Sequence, residues 1–267
     1  MYKTSLLFRA LAVFALWSYL TSTAAQPKLQ VIAGAGPSTK VVKLFAEKFS
    51  SSLDGSNYKF IVPSESIKHK GGIDTSSRYI FGRTGRPLNE QERGMNKDEI
   101  ILARVPISFV TGKQSGVSSL TKGEVKDIFS GKIKNWREVG GADRPIIVIG
   151  REPTEAIFSV LKQKFPVCEK AKFDRVYRRD HQVVRYLSTP NGGGAISFGA
   201  NPNFNELNVI KVNGFSEGVE VGLVYDLKNS NQELVKRAKR YVASKAWADE
   251  VKSIGLLPPE RAPNSKL

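Results

Sequence analysis

An α/β protein is the expected fold, on three observations. Apolar runs of strand length alternate with amphipathic segments of helical period along the chain. About 240 residues remain after an apolar leader, enough for two lobes of about 120 each. Cys168 is the single cysteine, so no internal disulfide can form and the fold must rest on packing. A lone thiol in the run FPVCEKAKF reads as a small buried hydrophobe.

In chain order, residues 1–25 read as a secretory signal peptide. Lys3 and Arg9 form a basic start, residues 10–20 an apolar stretch, and residues 21–25 a small-residue run with cleavage expected after Ala24 or Ala25. The apolar stretch is short for a membrane span. No cysteine follows the cleavage point, which argues against a lipoprotein, so the mature protein is expected to be periplasmic or secreted. Residues 29–33 read as a strand, 34–37 as a tight turn, and 40–49 as a helix with Val41, Leu44, Phe45 and Phe49 inward. A strand is expected over 58–62, a helix start over 89–93, and a long extended run over 99–111 that Pro106 breaks. Thr121 can N-cap a short helix with Glu124 as its capping-box partner and Val125, Ile128 and Phe129 as the apolar face, ended by Gly131. Pro145 opens the strand 146–149, which delivers Gly150, Arg151 and Glu152 to a loop before a helix over 154–165. A helix over 180–187, a turn at Gly192 to Gly194 and strands over 195–198, 209–212 and 219–225 follow. Helices over 232–243 and 244–254 close the pattern, with Gly255 a stop and a frayed tail beyond Pro258.

The charge balance is 41 Lys and Arg against 25 Asp and Glu, net +16, or +14 without the leader. Such a surplus raises the encounter rate with anions. The lysines are dispersed with no block interleaved with aromatics, which argues against a nucleic-acid module. His69 and His181 lie far apart with no ligating cluster around them, so neither a metal nor a cofactor is expected. Nothing resembles HExxH, GxSxG, a Walker loop or GxGxxG, and the reading is a binding protein, not an enzyme.

Binding an anion without a metal needs N–H and hydroxyl donors converging on one point, and helix N-termini supply them. Three segments have that form. Residues 34–39 combine glycines with Ser38 and Thr39 at a helix start; residues 83–86 offer Thr84 with an arginine on either side; residues 151–155 follow a strand and precede a helix. Taken singly, each also fits ordinary capping.

The run LTKGEVKDIFSGKIKNWREVGG at 120–141, with RPIIVIGRE shortly after it, resembles the substrate-binding proteins of phosphate ABC transporters. GAGPSTKVVKLFAEKF, FGRTGRPL, TPNGGGAISF and SIGLLPP resemble further segments of that family in the same order. The resemblance implies a two-lobed α/β fold of the type 2 periplasmic binding protein kind, the chain crossing twice between lobes, with 26–105 and 218–267 in lobe 1 and 106–217 in lobe 2. It further implies an interlobe site for a small oxyanion such as phosphate, a membrane permease as partner, and a monomer. Carried over position by position, the implied ligand-binding residues are Gly36, Ser38, Thr39, Thr84, Arg86, Arg151 and Thr154. Two departures stand out. Gly85 occupies a position where relatives often carry an acceptor for the proton of hydrogen phosphate, so discrimination between phosphate and sulfate is expected to be poor. Thr154, Glu155, Ala156 and Ile157 stand where relatives have Gly-Ser-Gly-Thr. Glu155 either points into the cleft and repels an anion, or sits in the first helical turn facing solvent where its charge suits the dipole. The first case favours a protein that keeps the fold but serves as a non-transport binding or signalling module.

Overall fold

The structure, a computed structural model, describes residues 28–153, 155–204 and 206–260. The expected signal peptide lies outside them. Lys28–Val31 (β1) leads through a glycine turn into Thr39–Ser50 (α1), and Tyr58–Ile61 (β2) pairs parallel to β1. Lys68–Arg78 (α2), Gly82–Thr84 (β3) and Glu90–Gly94 (α3) precede the 15-residue strand Lys97–Thr111 (β4). Next come Ser119–Leu120 (β5), Lys122–Phe129 (α4), Ile147–Arg151 (β6), Ala156–Lys164 (α5), Arg175–Tyr177 (β7) and Asp180–Leu187 (α6). Ala195–Ala200 (β8), Asn208–Val212 (β9), Gly218–Asp226 (β10), Glu233–Val242 (α7) and Lys245–Ser253 (α8) complete the order. Besides the β1–β2 pair there is one mixed sheet, β3-β10-β4-β8-β6-β7, with β9 paired to β4 and β5 to β9.

Local chemistry accounts for most boundaries. The Thr121 hydroxyl accepts from the Glu124 N–H at 3.1 Å while the Glu124 carboxylate accepts from the Thr121 N–H at 2.6 Å, the expected capping box. Gly131 and Gly255 lie at φ of +76° and +78°, where a left-handed backbone stops a helix. Helix α2 was not expected, because its sequence KHKGGIDTSSR is poor in helix formers. Tertiary contact outweighs propensity there: a Cβ on Gly72 would lie 2.1 Å from the Arg83 carbonyl, so only glycine lets the helix rest on β3.

Pro106 does not break its strand. The chain exchanges partners there, pairing with β10 up to Pro106 and with β8 and β9 from Ile107 onward. A proline has no N–H to give a ladder, and the exchange point needs none, since the Ile107 N–H bonds to Glu217 O at 2.9 Å. Two residues earlier, the Arg104 N–H donates to Leu257 O at 2.8 Å, and its guanidinium reaches Glu260 at 2.6 Å. The segment 257–260 is thereby tied to the strand; 261–267 lie outside the described residues.

Two main cores lie on either side of this exchange. One joins Phe45, Phe49, Leu102, Val105, Leu223 and Trp247; the other joins Ile107, Phe109, Phe129, Trp136, Phe198 and Val219. Each has a fully buried tryptophan fixed by its ring N–H, Trp247 to Leu102 O at 2.8 Å and Trp136 to Gly194 O at 2.7 Å. Trp247 also meets the Phe45 ring edge-on, with centroids 5.8 Å apart. Trp247→Ala is expected to destabilise the protein by about 3–5 kcal/mol through lost burial and an unpaired carbonyl. Urea unfolding measures this, and a loss below about 1 kcal/mol would contradict the packing described.

Candidate functional site

The turn between β1 and α1 is shaped by contact with β3. Gly34 has φ +147°, and a Cβ there would lie 2.1 Å from the Arg83 carbonyl. Main-chain bonds join Arg83 N–H to Ala33 O at 2.9 Å and Ala35 N–H to Arg83 O at 3.1 Å. The Arg83 guanidinium, fully buried, donates to Ala35 O, Ile32 O, Pro63 O and Glu65 O at 2.7–3.2 Å. It is a structural clasp for the turn, with four of its five N–H groups given to main-chain carbonyls.

Around this clasp sit the expected lobe 1 residues. Ser38 is the residue before α1, fully buried, its hydroxyl donating to Ala35 O at 3.2 Å. Thr39 opens the helix, its N–H donating to Gly36 O at 2.9 Å. Among the described residues, three buried side-chain polar atoms have no hydrogen-bond partner, and two of them are the Thr39 and Thr84 hydroxyls. Orphaned hydroxyls are costly in a native protein. Thr39 is the first residue of a 12-residue helix, whose first N–H groups and dipole favour an anion, and Thr84 follows Arg83, which bonds to the turn leading into that helix. Gly85, next to Thr84, packs on the turn: a Cβ would sit 3.0 Å from the Ala35 Cβ and 3.3 Å from the Pro37 ring. Arg86 turns to Glu92, which it grips with two bonds of 2.8 Å, and its guanidinium also donates to Pro87 O.

The second candidate segment is charged but internally matched. Arg151, at the end of β6, is 4% exposed, bonds to Tyr177 O and Arg178 O at 3.2 Å each, and pairs with Asp180 at the start of α6. Asp180 also accepts from the Asn203 amide. Thr154 lies outside the described residues. Glu155 is the N-cap of α5, half-buried, its carboxylate accepting from the Phe158 N–H at 2.8 Å. Burial raises its pKa, opposed by the Phe158 N–H and Arg151, with Asp180 adding to the rise. It thus takes neither of the two expected poses cleanly, folding back onto its own helix start in place of an external anion.

Sequence reasoning passed over Asp180 and His69. The His69 ring stands with Nδ1 3.4 Å from the Gly85 N–H and Nε2 3.3 Å from the Glu92 carboxylate. No sequence signal marks it, because its partners are 16 and 23 residues away.

Residues 15–246 match the family model described as the PBP superfamily domain. A phosphate-binding protein PstS of Borreliella burgdorferi is 27% identical over 186 residues, covering 64% of this chain and 63% of that protein, so less than two thirds of the relative's length is spanned. A solved putative phosphate ABC transporter substrate-binding protein with bound phosphate, from Clostridium perfringens, superposes with a TM-score of 0.60 at 21% identity, covering 87% of this chain and 100% of that one. The effector binding domain of QuiR in complex with shikimate superposes at 0.51 with 13% identity, covering 81% and 97%. These likenesses establish the two-lobed α/β fold with two interlobe crossings.

The Glu92 cluster has a signature in acid. Burial alone would raise the Glu92 carboxyl, but the Arg86 guanidinium, the Asn89 N–H and His69 together lower it to about 2. Because the folded carboxyl holds its proton less tightly than the unfolded one, its stabilisation is complete above about pH 4.5 and lost as pH falls toward about 2. The stability gap between wild type and Glu92→Gln should therefore narrow as pH falls from about 4.5 toward about 2. A gap that does not change with pH in chemical unfolding would contradict this.

Proposed function

This chain belongs to the PBP superfamily, and we propose that it is an exported solute-binding protein of the phosphate ABC transporter type that takes a small oxyanion between its lobes. In this reading lobe 1 comprises 26–105 and 218–267, lobe 2 comprises 106–217, the partner is a membrane permease, the protein works as a monomer, and its role is binding without catalysis. The observation that carries it is the pair of unpartnered buried hydroxyls, Thr39 at the N-terminus of α1 and Thr84 at the end of β3, the strand that bonds to the turn before that helix. An oxyanion has the acceptors both hydroxyls lack, and Gly36, Ser38 and the first helical N–H groups stand beside them. Phosphate is the first ligand to try, since phosphate-binding proteins are among the relatives.

A second reading rests on lobe 2. Arg151 is paired with Asp180, and Glu155 already fills the start of α5. A site matched in this way on one side fits a protein that keeps the fold as a binding or signalling module without transport, and an effector-binding domain is among its structural likenesses.

Calorimetry with phosphate, sulfate, arsenate and organic phosphates decides between them. The transport-type reading expects at least one ligand tighter than about 100 μM, roughly −5.5 kcal/mol. Thr39→Val and Thr84→Val should each weaken it about tenfold or more, the worth of a hydrogen bond to a charged group. Glu155→Ser should strengthen binding if the carboxylate competes with the ligand. Silence across the panel from folded protein would remove the oxyanion reading in favour of the second.

A further inference from the structure

We propose that His69 is a positioning residue that sets the affinity of the lobe 1 oxyanion site: neutral, it takes up the Gly85 N–H, and protonated, it releases that N–H and adds a positive charge beside Thr84. The inference rests on the reading that an oxyanion is held at Thr39 and Thr84.

The hydrogen-bond chemistry defines the ring's state. Glu92 is ionised and can only accept, so Nε2, at 3.3 Å from it, carries the hydrogen. Nδ1 then has its lone pair free, and it receives the Gly85 N–H at 3.4 Å. That N–H has no other partner among the described bonds, and it follows directly on Thr84, whose hydroxyl has none. A neutral His69 therefore diverts one main-chain donor away from the place where an oxyanion would need it. Protonation of Nδ1 turns the acceptor into a donor, and the two N–H groups can no longer face each other. Gly85 N–H becomes available, and a cation appears next to the site; both changes favour an anion.

The charged groups around the ring are few. From the segment after β3 comes Arg86, and from α3 comes Glu92, already held by Arg86 through two bonds. Lys68 and Lys70, its neighbours on α2, are exposed. Burial lowers the His69 pKa, Arg86 lowers it further, and Glu92 pulls it back up, which keeps the ring neutral at neutral pH. By linkage, an anion that prefers protonated His69 must raise its pKa on binding.

Sulfate is the probe, because its charge is fixed over the range in which His69 titrates while that of phosphate is not. Between about pH 8 and about pH 5, sulfate affinity of wild type should rise about three- to tenfold. In parallel, the ring-proton NMR titration of His69 should move to higher pH when sulfate is saturating. The chain has two histidines, so the resonances are assigned with one His181→Gln variant. His69→Gln keeps a neutral acceptor for Gly85 and cannot charge; it should bind sulfate with the same affinity at both pH values. Persistent pH dependence in His69→Gln would assign the effect to another group, with Glu155 the first candidate, and overturn the proposal. Sulfate binding that is flat with pH in wild type, or an unmoved His69 titration, overturns it too while leaving the site intact. Absence of both sulfate and phosphate binding at every pH overturns this proposal together with the oxyanion reading on which it rests.

Discussion

The buried guanidinium of Arg83 is the interaction on which the candidate site depends. A charge removed from water is costly unless its donors are matched, and here four main-chain carbonyls from two separate stretches of chain, 32–35 and 63–65, converge on it. The β1–α1 turn, the exit of β2 and strand β3 are held to one another by that convergence. The Thr39 and Thr84 hydroxyls have no partner among the described residues and take no part in that convergence. Arg83 thus shapes the turn from within, which is different from an arginine that contacts a ligand.

The segment around Arg151 is organised on the opposite principle, with its strong groups matched from inside. Arg151 has Asp180, Asp180 has Asn203 as well, and the N–H groups at the start of α5 have Glu155. A surplus of positive charge, +16 over the chain, still draws anions toward the molecule as a whole. Long-range attraction and local acceptance are separate properties. The net charge supplies the first, and among the described residues the buried side-chain donors without partners are the Thr39 and Thr84 hydroxyls.

Much of this was legible in the sequence where local chemistry decides local structure. The capping box of Thr121 and Glu124, the glycine stops at 131 and 255, and the span of α6 follow from side chains acting on their immediate neighbours. Legibility failed where contact distant in sequence decides. Helix α2 was hidden because its Gly72 is there for Arg83, 11 residues further on and packed against it. Pro106 read as a break because the change of strand partner that accommodates it involves segments about a hundred residues away. For the candidate site, position within a resemblance pointed to Ser38, Thr39, Thr84, Arg86 and Arg151, but Arg86 is taken up by Glu92 and Arg151 by Asp180, and no spacing announces those pairings.

The exchange of partners at Pro106 carries a mechanical consequence. Strand β4 runs without interruption through both cores, yet at this one residue it has no amide hydrogen to break. The proline ring fixes φ, so bending of the strand at this point falls on ψ and on the neighbouring residues, while sliding along the strand is resisted by the ladders above and below it. Arg104, two residues away on the side paired with β10, grips the segment at 257–260 through its backbone and its guanidinium. That segment is therefore fastened to the half of the strand that packs with Trp247, and it goes wherever that half goes.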